Sequence, residues 1–153
     1  MDNQIHEKLV LLKELKIDTK PIWGKMTPQH MIEHLIASFQ IAIGELNVGC
    51  FNPPEKLPTL KKYLLSSRPL PKDFVNPIIG ADLKPLRFAA LSESISVLEE
   101  YIKKYYECFD NDPNLVTINP TFGELNKTEW DVFHEKHMTH HFSQFGLIKK
   151  ESE

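Results

Sequence analysis

Trp130-Asp-Val-Phe-His-Glu-Lys-His137-Met-Thr-His140-His141-Phe-Ser-Gln-Phe-Gly146 reads as one helix, and four of the chain's seven histidines fall within eight of its residues. Trp130, Phe133, His137, His141 (or His140), Gln144 and Ile148 recur at spacings of three and four, the stripe that an amphipathic helix turns toward a core. His137 and His141 are four apart, so their imidazoles project from one face about one turn apart. Two imidazoles thus stand where apolar side chains belong. A buried imidazole needs a partner for each nitrogen, and a metal ion is the partner that uses two of them together.

Three further helices precede this one. The first runs from about Asn3 to Lys16, with Ile5, Leu9, Leu12 and Leu15 on one face. The second starts with Thr27 as N-cap and Pro28 at the first helical position, and continues through His30, His34, Ala37 and Ile41 to about Leu46, where Asn47 and Gly49 stop it. The third is the most regular: Phe88, Leu91, Ile95, Leu98, Ile102, Tyr105 and Phe109 alternate spacings of three and four, as a bundle helix requires. Asn119-Pro-Thr-Phe-Gly-Glu124 reads as a turn, after which Asn126 or Thr128 caps the last helix and Glu129 lies in its first turn.

Between the second and third helices, Gly49 to Pro85 carries seven of the eleven prolines. Such a segment cannot be one continuous helix, although Thr59 to Leu65 has room for a helical turn or two. Its apolar residues (among them Phe51, Leu57, Leu60, Leu64, Phe74, Ile78 and Ile79) suit an insertion packed on the domain as a covering. Strand-like alternation is almost absent. The pattern predicts a single all-α domain over residues 1–153, a four-helix bundle with a proline-rich insertion at about 49–85.

Composition narrows the function classes. With 153 residues, 41% hydrophobic, 25% charged and a net charge of -3, the chain has the balance of an ordinary soluble domain with a real core. Lys and Arg form no stripe, so nucleic-acid binding has no electrostatic support. Neither a secretory signal nor a membrane-length apolar run is present, which predicts a cytoplasmic protein. Cys50 and Cys108 lack the paired spacing of a thiolate site and read as two reduced thiols.

The second helix supplies a third imidazole. His34 shares a stripe with His30, Ala37 and Ile41 and can point into the core. Catalytic Zn²⁺ sites commonly take three protein ligands and leave one position open, and His34, His137 and His141 form such a set from two helices. Imidazole suits Zn, Ni, Fe and Cu, with Zn or Ni the preferred ion. The zincin motif is absent, because His137 is followed by Met138, and His134-Glu135 has the wrong spacing to the next histidine. His30 and His134 lie at stripe edges, where surface or supporting roles are expected. His140 is rotated about 100° from His141 and is expected to face solvent, while His6 has no supporting context. Glu33, His30 and His134 are the nearest candidates for a general base. Gln144 either hydrogen-bonds a ligand or fills the core, and Trp23 and Trp130 are expected to pack.

Trp23-Gly-Lys-Met-Thr-Pro-Gln-His-Met-Ile-Glu-His34-Leu and His137-Met-Thr-His-His141-Phe-Ser-Gln-Phe-Gly146 resemble the two signature segments of the DinB-like (YfiT-like) superfamily, and most closely a branch whose function is unknown. The similarity spans most of the chain, the proline-rich insertion being its least typical part. It implies an up-down-down-up four-helix bundle holding a divalent metal through three histidines. The His of a His-Leu pair in the family's second helix matches His34. The HxxxH pair of its last helix matches His137 and His141. Members include metal-dependent hydrolases and transferases of low-molecular-weight thiols, so the resemblance implies one of these activities on a small molecule. The competing expectation is a non-catalytic bundle with a structural metal or a buried histidine network. The apolar surplus of the first and third helices also allows a homodimer.

Overall fold

Two side-chain caps fix where the site-bearing helices begin. The Thr27 hydroxyl accepts from the His30 backbone N–H, with Pro28 at the first helical position. Asn126 and Glu129 form a reciprocal capping box, each side chain accepting from the other's backbone N–H. The computed structural model describes residues 3–71 and 83–148. Phe74, Pro77, Ile78 and Ile79 of the insertion lie outside them, as does the side chain of His6.

The described chain is mostly helical. Helix α1 spans Asn3–Leu9 and tightens into a 3-10 turn over Val10–Glu14, so the expected helix to Lys16 is shorter and changes pitch midway. Helix α2 covers Pro28–Ala42 and stops short of Leu46. Helix α3 covers Leu57–Leu65, longer than the turn or two expected. Helix α4 runs over Leu91–Asn111 and α5 over Lys127–Gln144.

Strands β1 (Thr117–Asn119) and β2 (Gly123–Leu125) pair antiparallel between α4 and α5, with Thr117 opposite Leu125. Among the described residues there are thus five α-helices and a two-stranded ribbon, so the mostly helical character holds and the hairpin adds strands that the all-α pattern did not contain. Its turn is held by Asn119, whose Oδ1 accepts from the N–H groups of Thr121 (2.8 Å) and Phe122 (3.0 Å), the local bonding that favours Asn in turns. Strands of three residues are too short to write an alternating pattern.

Helix α2 lies chiefly along α4, while α5 touches α1, α2, α3 and β2. Being covered on several sides, α5 buries more than one stripe: Trp130, His134, Met138 and Phe142 as well as Phe133, His137 and His141. The expected packing role of Trp130 holds, its indole N–H donating to the Thr117 hydroxyl at 2.8 Å. The insertion is fastened to α5, because Lys136 Nζ donates to the carbonyls of Ser66 (2.8 Å) and Arg68 (2.6 Å) just past α3. Leu64 and Leu70 of the insertion are buried. Gly123, with φ +77°, admits this approach, since a Cβ there would stand 2.7 Å from Leu57 Cδ1. Cys50 and Cys108 are free thiols. Among the described residues no helix is long and apolar enough to cross a membrane.

Candidate metal centre

His34 comes from the middle of α2, and His137 and His141 from successive turns of α5. Packing of the buried faces of α2 and α5 brings the rings together. His34 Nε2 stands 2.9 Å from His137 Nε2, and His141 Nε2 stands 3.2 Å from the same atom. The ligand atoms of all three lie within 4.8 Å of one another, and they form a group able to hold a metal ion. His137 and His141 are buried, whereas His34 keeps part of its surface exposed.

Desolvation dominates the electrostatics. Burial pushes His34 from 6.5 down to about 4, with a smaller contribution from the charge of His140. His137 and His141 are also held well below 6.5, first by burial and then by repulsion from neighbouring histidines. All three rings are therefore neutral near pH 7, the state in which imidazole offers a lone pair to a metal.

Two side chains reach the far nitrogens of these rings. Gln144 Oε1 is 2.8 Å from His141 Nδ1, and Gln144 Nε2 donates to the Trp23 carbonyl at 2.9 Å. Ser38 Oγ is 3.2 Å from His137 Nδ1 and donates to the His34 carbonyl at 3.2 Å. Gln144 was legible as a hydrogen-bonding candidate. Ser38 was not singled out, although it sits four residues beyond His34 on the same face.

The remaining histidines separate from the cluster. His134 is not at a stripe edge: it is 1% exposed, stacked on Phe39 at 3.8 Å and on Trp130 at 5.3 Å, with Tyr105 edge-on at 4.8 Å. Among the described residues neither of its nitrogens has a hydrogen-bond partner, and burial pushes it down to about 3. His30 lies 2.6 Å by its Nδ1 from the Thr27 hydroxyl. His140 is half-buried rather than solvent-facing, with its ring 5.6 Å from Trp23 and 4.9 Å from His141.

Glu33 joins α2 to the segment before α4. It is buried, and its oxygens accept from the N–H groups of Arg87 (2.8 Å) and Phe88 (3.2 Å) and from Gln29 Nε2 (3.0 Å). It pins the approach to α4 onto α2. Compared with known proteins, the chain matches no family model, and no curated protein or solved structure is significantly similar to it.

Proposed function

We propose that this chain is a divalent-metal protein whose ligands are His34, His137 and His141, built on the up-down-down-up four-helix bundle of the DinB-like superfamily, which its two signature-like segments resemble. The convergence of the three Nε2 atoms carries this reading. Two nitrogens, each about 2.0–2.1 Å from one ion, stand about 3.3 Å apart in tetrahedral geometry and about 2.9 Å apart at an octahedral right angle. The 2.9 and 3.2 Å separations to His137 fit that range, and the ligand atoms of His34 and His141 lie within 4.8 Å of each other, so those two rings draw together where an ion is shared.

A closed structural site takes four protein ligands, and among the described residues neither His30, His134 nor an acidic side chain joins the cluster. Three neutral ligands leave a position for a small molecule, which favours a catalytic centre over a structural one. A Zn²⁺ or Ni²⁺ ion here retains its full charge and supplies Lewis acidity toward an oxygen or a thiolate. The chain's own part is to hold three deprotonated nitrogens and to keep water from most of their surface. The reaction class is metal-dependent hydrolysis or transfer of a low-molecular-weight thiol, in the cytoplasm, on a small-molecule substrate, with pairing of two chains as the accompanying assembly.

Metal analysis of protein purified without a histidine tag tests this directly. About one divalent ion per chain is expected, together with a visible-spectrum change when azide or a small thiol is added to the Co²⁺-loaded form. Protein that takes up neither Zn²⁺ nor Ni²⁺ overturns the metal centre. A Co²⁺ spectrum indifferent to both additives overturns the open position.

A further inference from the structure

We infer that Gln144, strapped by the Trp23 carbonyl, is a positioning residue that keeps His141 in the tautomer with a bare Nε2, and that Ser38 does the same for His137. The inference rests on the metal centre proposed above and names the residues that prepare it.

An amide has one donor end and one acceptor end. Gln144 Nε2 is committed to the Trp23 carbonyl, so the oxygen is the end that faces His141 Nδ1. An oxygen only accepts, so Nδ1 carries the proton and the neutral ring has a lone pair at Nε2. Ser38 has a single proton, which goes back along α2 to the His34 carbonyl. Its oxygen is then left to accept from His137 Nδ1, and His137 Nε2 is also bare. Two lone pairs thus face each other across 3.2 Å with no proton between them. That arrangement suits a shared cation and is poor for two rings alone. Outer hydrogen bonds of this kind fix tautomer and ring orientation at metal sites.

The strap itself is built into the backbone. Ile22 N–H donates to the Gln144 carbonyl at 2.6 Å, and Gly24 follows with φ +81°. A Cβ on Gly24 would stand 2.8 Å from Gln144 Nε2. Glycine is therefore required at this position both by the left-handed backbone and by the close approach of the amide.

Two-bond ¹H–¹⁵N correlation of the histidine rings in metal-free protein near pH 7 reads the tautomers, and a Zn²⁺ titration of the same samples reads affinity. In the wild type, His141 and His137 are expected as Nδ1–H tautomers. Gln144→Met, which keeps the volume and removes the acceptor, is expected to move His141 toward the Nε2–H form and to weaken Zn²⁺ about 10–100-fold. Gln144→Glu keeps an acceptor toward His141 Nδ1 but loses the donor to the Trp23 carbonyl, so it is expected to hold the Nδ1–H tautomer better than Gln144→Met while leaving the strap broken. Gly24→Ala, which displaces the amide from outside α5, is expected to act in the direction of Gln144→Met. A wild-type His141 in the Nε2–H form, or a Gln144→Met protein with unchanged tautomer and unchanged Zn²⁺ affinity, overturns the inference. If the wild type takes up no Zn²⁺, the metal centre falls, and the tautomer spectra still decide the role of Gln144.

Discussion

His137 and His134 are one turn apart on α5 and both buried, yet their polar surroundings differ. His137 faces α2 and meets His34, His141 and the Ser38 hydroxyl. His134 faces an aromatic box of Phe39, Trp130 and Tyr105, and among the described residues neither of its nitrogens is bonded. Burial is common to both and depresses the proton affinity of both. What fits one of them to hold a metal is convergence with other donors and a bond that orients the ring. The other is a histidine used as a flat, neutral filler, at the cost of two unsatisfied polar atoms.

The sharpest way to break this contrast is to remove each ring in turn. His137→Ala takes away the central nitrogen of the cluster, and elemental analysis should fall from about one divalent ion per chain to none while the helical circular-dichroism signal persists. A variant that retains its metal would show that His137 is not a ligand.

Acid should affect the two surroundings together. In the unfolded chain these rings take up a proton below about 6.5, whereas in the fold His34 does so near 4 and His134 near 3. The unfolded state binds more protons in that window, so stability is full above about pH 6.5 and is lost as pH falls through it. Each such histidine adds up to about 1.4 kcal/mol per pH unit. Urea midpoints of metal-free protein between pH 7 and 5 should decline accordingly, and a flat profile would contradict the neutral, buried rings.

A smaller effect of opposite sign is expected from His134→Phe. It replaces two orphaned nitrogens by an apolar edge and should stabilise the protein by about 1–2 kcal/mol, flatten the acid profile and leave the metal content alone. Destabilisation would mean that the His134 nitrogens have polar partners after all. Smallest and least selective is Asn126→Ala, which cuts the cap of α5 far from either ring. About 1 kcal/mol of stability should be lost, measured as a lower urea midpoint, with unchanged metal stoichiometry.

The three converging histidines were legible because each sits on a periodic apolar stripe, where an imidazole stands out. His134 was misjudged because α5 is enclosed by α1, α2, α3 and β2, and a helix covered on several sides buries positions that a single-stripe reading assigns to an edge. The cap at Thr27 is readable from side-chain chemistry alone, while that of α5 narrows to Asn126 or Thr128, of which Asn126 is the one used. The turn over residues 119–124 is readable too, but its flanking strands are too short to alternate. The Trp23 carbonyl leaves no trace in residue type, being backbone. Its signal was Gly24, whose requirement becomes visible only once Gln144 lies against it.

The central place of α5 has a consequence for how the chain is made. Lys8 pairs with Glu135 across 127 positions, and His34 meets His137 across 103. Among the described helices the one that α1, α2, α3 and the hairpin all pack on is the last to leave the ribosome. Until it emerges, the apolar faces of α1, α2 and α3 have no common partner, and α3, nine residues long, is too short to persist alone. Closure is therefore expected late and from distant parts, the regime in which folding is slow and newly made chains depend on being kept apart.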